Sequence, residues 1–304
     1  MDVLSEVLTT LKLDHYVSGG FVLGRETGYR FPSHAGIKCY AVASGSCWLK
    51  TDFNATAIHL QAGDCVLLSR GEPFSLMTEP GQPCIDFPCG NTETLIEPAP
   101  GVEGGSCLIV GGHFVLGDGI SEKFLHTLPP VVHIRAESGT VTLRMSFERM
   151  IEELTDPQPG SYLVAQQAAH TMLIQALRHH MRDEAENGVG WIFALMDPQI
   201  SATMKAVHDN PGHNWTLQEL ATHVGMSRTV FAQRFKGKVG MTASNYLTRW
   251  RLTLASDRLK TSHETVLSIA TSLGYSTESS FGRAFRKFWG RTPRERTASG
   301  RFER

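Results

Sequence analysis

Two groups of side chains in this sequence have the type and spacing to do chemistry. The first sits near the C-terminus, in two clusters: Arg228, Thr229, Ala232, Gln233 and Lys236, then Thr277, Glu278, Ser279, Arg283, Arg286 and Lys287. On a helix, Phe231 with Phe235, and Phe281 with Phe285, would share an inward face and leave these residues pointing elsewhere. Polar and cationic faces of this kind suit phosphates and base edges; a plainly solvated helix surface is the other reading. The second group is the six cysteines, Cys39, Cys47, Cys65, Cys84, Cys89 and Cys107. Cys84 and Cys89, flanked by Pro83 and Pro88, form a candidate redox pair or, with Cys107 or His113, a zinc site. Buried small residues are the ordinary reading of cysteines in a reducing compartment.

The elements that must position the first group form an internal repeat. Thr216 to Ala221 opens with a Thr-x-x-Glu capping box and reads as a helix, His223 to Ser227 as a tight turn, and Arg228 to Gly237 as a second helix. Thr265 to Ser272, Leu273 to Ser276 and Thr277 to Phe288 repeat the plan. Ala221, Gly225 and Ser227 recur at Ala270, Gly274 and Ser276, an offset of 49, whereas Phe231, Phe235 and Gly240 recur at Phe281, Phe285 and Gly290, an offset of 50. The small Ala lets helices cross, Gly permits a positive φ, Ser caps the next helix and the Phe pair packs it down. Ser244 to Lys260 is helical in pattern and would hold the two units apart by about one DNA turn, roughly 34 Å.

Charge divides the chain in the same place. Residues 197–304 hold 17 Lys and Arg against 8 Asp and Glu, so within a net charge of −1 this segment carries +9 and residues 1–196 carry −10. A basic segment tethered to an acidic one points to a polyanionic partner. Upstream, Phe21 to about Ile134 reads as short strands cut by turn residues, among them Lys38–Ala43, Ser46–Lys50, Ala57–Leu60, Asp64–Leu68 and Ser106–Val110. Asn91 to Gly105 reads as an exposed loop. Val141–Leu154 and Tyr162–Met181 read as helices separated by Asp156 to Gly160; they would pack on the strands, form a dimer interface, or both. Asp197-Pro198 reads as a capped helix start. With 41% hydrophobic residues and no apolar run long enough to span a bilayer, the chain is expected to be a cytoplasmic protein without membrane contact.

The repeat resembles the DNA-binding domain of the AraC/XylS family through Leu220-Ala221, Met226-Ser227-Arg228, Phe231, Arg234-Phe235-Lys236, Arg251-Leu252, Ala255, Ile269-Ala270, Leu273-Gly274-Tyr275, Ser280-Phe281, Phe285-Arg286-Lys287, Gly290 and Thr292-Pro293. Arg294 to Thr297 departs from the family pattern. The resemblance implies that Thr229, Ala232 and Gln233, and then Glu278, Ser279 and Arg283, face base edges, while Arg228, Lys236, Thr277, Arg286 and Lys287 face phosphates. Leu60 to Phe74 resembles the core of a small cupin barrel, although Phe74 stands where a metal ligand would be expected and His34, His59 and His113 are scattered. Cys84 to Gly90 resembles the cysteine-containing cupin subset of the same family, which includes oxidant-responsive regulators.

The expected fold is therefore α+β: a cupin-like antiparallel β-barrel in residues 1–135, connecting and dimerising helices in 136–190, and an all-α domain with two helix-turn-helix motifs in 197–304. The expected function is transcription regulation on double-stranded promoter DNA, as a homodimer with RNA polymerase as a further partner and with neither metal nor cofactor. The signal would be a small molecule in a pocket with His34, Tyr40 and Trp48, or an oxidant at Cys84 and Cys89. The rival readings are a cupin isomerase or dioxygenase fused to a DNA-binding tail, and a purely architectural DNA binder.

Overall fold

The computed structural model describes residues 1–10, 15–25, 28–53, 56–87, 97–98, 107–115, 128–184 and 187–301. They fall into two compact units, one of Lys12–Asp183 and one that joins Met1–Leu11 to Glu184–Arg304.

The first unit holds strands β1 (His15–Leu23), β2 (Gly28–Phe31), β3 (Ile37–Ser44), β4 (Ser46–Thr51), β5 (Ile58–Gln61), β6 (Cys65–Leu68), β7 (Phe74–Met77), β8 (Cys84–Asp86), β9 (Glu97–Pro98), β10 (Cys107–Val115) and β11 (Val131–Ile134). They form two sheets, ordered β11-β6-β3-β10-β1-β9 and β5-β4-β7-β2-β8. In β4 the period-2 pattern buries Cys47, Leu49 and Thr51 while Trp48 and Lys50 face outward. In β3, by contrast, six consecutive residues are buried. Its second face is covered by α2 (Val141–Thr155) and α3 (Ser161–Asp183), which pack on the six-stranded sheet. The expected antiparallel pairing holds except at β1–β9 and β2–β8, which are parallel. Glu97–Pro98 is a strand inside the stretch expected to be loop; most of that stretch lies outside the described residues.

Aromatic rings fill the space between the sheets. Phe31 stacks on Phe74 and on Phe87, each at 4.5 Å, and Phe21, Tyr29 and Tyr40 close around them. Asp64 is a buried carboxylate with its demands met: it accepts from the Gln61 and Ala136 amides and lies 2.9 Å from His133 Nε2.

The second unit is helical: α1 (Val3–Thr10), α4 (Trp191–Ala194), α5 (Pro198–Asp209), α6 (Leu217–His223), α7 (Arg228–Val239), α8 (Ala243–Thr261), α9 (Val266–Ser272), α10 (Glu278–Trp289) and α11 (Pro293–Arg301). The position of α1 corrects the expected boundary of the N-terminal domain. Val3, Leu4, Val7 and Leu8 make one apolar face, and that face is buried against α5 and α8 rather than against the strands. The expected connecting region is likewise divided, since residues up to Asp183 pack with the sheets. At the α1 contact His208 Nδ1 donates to Glu6 at 3.0 Å, Tyr246 donates its hydroxyl to Nε2 at 2.7 Å, and the imidazole stacks on Trp250 at 3.9 Å. Burial pulls the His208 pKa down to about 3, so the ring is neutral at pH 7.

Two outcomes follow from this packing. The double substitution Val7→Ala, Leu8→Ala is expected to cost about 2–5 kcal/mol and to speed hydrogen exchange in α5 and α8 while leaving β3 and β10 unchanged. His208 in the unfolded chain takes up a proton below its ordinary pKa of 6.5, whereas the folded chain refuses it until about 3. The His208 contribution therefore lowers the helical unit's stability as pH falls through that window, by at most about 1.4 kcal/mol per pH unit. Urea titrations at pH 7 and pH 5, in the wild type and in His208→Gln, measure it.

Candidate nucleic-acid interface

Each helix-turn-helix is assembled from local chemistry. The capping box at α6 is complete: the Thr216 hydroxyl accepts from the Glu219 amide at 3.1 Å and the Glu219 carboxylate accepts from the Thr216 amide at 2.7 Å. In the turn that follows, the Met226 amide donates to the Ala221 carbonyl at 2.9 Å, and the Tyr275 amide repeats this bond to Ala270 at 3.0 Å. Both turns require a left-handed residue, supplied by Gly225 (φ 68°) and Gly274 (φ 79°).

The caps of the second helices differ from expectation in one case. Ser227 caps α7, accepting from the Val230 amide, but α10 is capped by Thr277, which accepts from the Ser280 amide at 3.1 Å, and not by Ser276. The residue gained between the two repeats therefore lies in the second turn, between Tyr275 and the cap.

Packing fixes which faces remain open. Phe231 and Phe235 are buried with rings 5.6 Å apart, and Phe281 and Phe285 repeat the contact at 5.5 Å. Opposite them, Arg228, Thr229, Gln233 and Lys236 are exposed and Ala232 is half-buried; on α10, Ser279, Arg283, Arg286 and Lys287 are exposed, as is the capping Thr277. Glu278 is half-buried, with a carboxylate oxygen 3.7 Å from Arg294. Sequence reasoning passed over Val230, which is 52% exposed in the first turn of α7. An apolar residue directly before an inward Phe was its only signal. Arg234, on the same helix, is tied to Asp197 at 2.8 Å, so it anchors α7 to the start of α5.

Asp197 also accepts from the Gln199 and Ile200 amides, as the Asp-Pro pattern predicted. Burial works to raise its pKa, but Arg234 and the two amides outweigh it and hold the carboxyl below its ordinary value. The two motifs meet on α8. Tyr246 packs on Phe235 at 6.0 Å, while Leu252, Ala255 and Leu259 join Ile269, Ala270, Leu273, Phe281 and Phe285 in one cluster. Arg251 donates to the Pro211 and His213 carbonyls ahead of the first motif and lies 5.9 Å from the Tyr275 ring in the turn of the second. The C-terminal segment that departs from the family pattern still forms a helix, α11, held by buried Arg296, which donates to Ser256 at 2.8 Å.

Candidate sensor residues in the sheet unit are dispersed. Tyr40 belongs to the aromatic core, and Trp48 faces outward, stacked on His59 at 4.6 Å, because strand alternation sends it away from Cys47 and Leu49. His34 lies near His113 instead, their rings 5.3 Å apart. A cavity of about 370 Å³ beside Asp64 and His133 and another of about 720 Å³ beside Arg25 and Glu79 are lined by none of the three residues expected to form a pocket. Cys84 is half-buried, and Cys89 lies outside the described residues. Cys39, Cys47, Cys65 and Cys107 are buried. Among the described residues no group of three or more His, Cys, Asp or Glu side chains is arranged to hold a metal ion.

A family model described as cupin matches residues 2–182, and one described as a helix-turn-helix domain matches residues 220–298. The chain is 34% identical over 294 residues to an AraC-like transcription regulator of Streptomyces lividans, covering 96% of this chain and 97% of that protein. It belongs to the AraC-like transcription regulators. A second AraC-like regulator, from Streptomyces antibioticus, is 34% identical over 301 residues, 96% of this chain and 97% of that one. The HTH-type transcriptional regulator AlkR of Acinetobacter baylyi is 28% identical over 245 residues, 77% of this chain and 78% of the relative. This AraC-like protein is thus a transcription regulator with a cupin-type N-terminal region and a helix-turn-helix DNA-binding domain, and the relatives support a regulator rather than a cupin enzyme. Among the described residues no helix is long and apolar enough to cross a membrane.

Asp197→Ala is expected to lower the stability of the helical unit by about 1–3 kcal/mol through loss of the cap and of the Arg234 ion pair, whereas Asp197→Asn, which can still cap but gives up that pair, keeps only part of it. Denaturant midpoints of the two variants check this.

Proposed function

We propose that this regulator reads promoter DNA with the outward faces of α7 and α10 and that a small molecule bound in its cupin-type unit sets the strength of that grip. The observation that carries the DNA half is the orientation of the two helices' side chains. The phenylalanines are spent on the core, so Arg228, Thr229, Gln233 and Lys236, and then Ser279, Arg283, Arg286 and Lys287, are left open. Thr229, Ala232, Gln233, Glu278, Ser279 and Arg283 read base edges, and Arg228, Lys236, Thr277, Arg286 and Lys287 take phosphates. Val230 adds an apolar contact of the type that thymine methyl groups accept. The 19 residues of α8 span about 28 Å, of the order of the 34 Å DNA turn, which supports docking in successive major grooves.

The protein works in the cytoplasm as a homodimer and acts on RNA polymerase at the promoters it occupies. Support for the dimer comes from α2 and α3, where Val141, Met145, Tyr162 and Leu163 stay exposed although both helices pack on a sheet. The oxidant reading makes a different prediction, an adduct or bridge at Cys84 or Cys89 after mild oxidant, read by mass spectrometry.

Selection of the full-length protein against a random duplex pool tests the DNA reading. One enriched motif with two half-sites about one turn apart is expected. Arg283→Ala should then relax preference at one base position and cost about 1–3 kcal/mol. Lys287→Ala should weaken all sequences alike and flatten the salt dependence. Unchanged binding in both variants removes α10 from the interface.

A further inference from the structure

The repeat matches α7 to α10 at an offset of 50 residues, and the outward positions that correspond differ in chemistry. Thr229, Val230, Ala232 and Gln233 on α7 correspond to Ser279, Ser280, Gly282 and Arg283 on α10, and Arg228 corresponds to Glu278. Phe231 and Phe281 are equivalent buried anchors, so corresponding residues leave their helices in corresponding directions.

The middle of α7 offers DNA no guanidinium. Its arginine there, Arg234, is drawn to Asp197 at 2.8 Å. What remains outward is the exposed Gln233 amide, with Val230 and the methyl groups of Thr229 and Ala232 on neighbouring positions. A carboxamide presents one donor and one acceptor side by side, the complement of adenine N7 and N6, and apolar groups meet the C5 methyl that only thymine carries.

On α10 the same positions carry the opposite preference. Arg283 stands where α7 has Gln233; it is exposed, and among the described residues no other group engages its guanidinium. Two parallel N–H donors fit the two acceptors of guanine, O6 and N7. Ser280 replaces the apolar Val230, and its hydroxyl donates to the Thr277 carbonyl at 2.8 Å, which spends it within the helix start. The Glu278 carboxylate, 3.7 Å from Arg294, can only accept, so the base group that suits it is an amino group, above all cytosine N4. Gly282 lies in the helix interior, where glycine is destabilising. Neither a positive φ nor crowding requires it, since nothing beyond its own stretch of helix stands within 4 Å of where a Cβ would be. A missing side chain there lets DNA come close beside Arg283.

We propose, resting on the reading of α7 and α10 as DNA-docking helices, that each protomer's site is chemically asymmetric: α7 selects A·T pairs and α10 selects G·C pairs. Gln233 and Arg283, equivalent positions of the repeat, are the deciding residues. Val230 with the neighbouring methyl groups reinforces the first preference, and Glu278 the second.

The test selects the full-length protein against a random duplex pool and repeats the selection with Gln233→Arg and with Arg283→Gln. The wild type is expected to enrich two half-sites about one turn apart, one fixed at A·T and the other at G·C. Gln233→Arg should turn the selected adenine into guanine in the first half-site alone, by about tenfold in preference or more. Arg283→Gln should turn guanine into adenine in the second half-site alone, by a similar factor. A loss of stability would weaken both half-sites together and would not exchange one base for another. Should a swap fail to fold, the wild-type motif carries the test. Two half-sites of like composition, or a swap that leaves the selected base unchanged, overturns the inference and leaves the DNA reading standing. No enriched motif at all removes both.

Discussion

The burial of α8 on more than one side is the constraint on which both DNA-reading motifs depend. One helix supplies Tyr246 to the first motif and Leu252, Ala255 and Leu259 to the second. Arg251 reaches backward to the Pro211 and His213 carbonyls and forward to the Tyr275 ring. A helix packed in this way cannot turn about its axis without breaking contacts in both motifs at once. The orientation of α7 relative to α10 is therefore a property of the core and not of a flexible connection.

The same helix receives α1. Glu6, His208, Tyr246 and Trp250 form a continuous chain of hydrogen bonds and ring contact, so the first residues of the polypeptide are part of the reader's core. The chain consequently passes between the two units twice, near residue 11 and near residue 184.

In the sheet unit the governing contrast is between faces. Where α2 and α3 cover β3, a run of six buried residues replaces alternation; in β4 alternation is kept and Trp48 points outward. The interior is packed with aromatic rings, leaving polar chemistry to the margins, at Asp64 with His133 and at Lys38 with His34 and His113. The first of these is a satisfied structural pair.

By itself the sequence determined the elements whose causes are local. The capping box at Thr216, the Asp-Pro start at residue 197, the left-handed glycines of both turns and the buried phenylalanine pairs are all written within a few residues of where they act. The outward positions followed from those pairs, because helical geometry leaves little choice once the inward face is known. Tertiary structure alone decided that Thr277 and not Ser276 caps α10, that α1 belongs with the helices, and that Trp48 leaves the interior while His34 meets His113 and Lys38. These outcomes depend on which distant strand or helix presents the complementary surface. Short-range periodicity shows that a face is apolar or polar, but carries no information about the partner that will cover it.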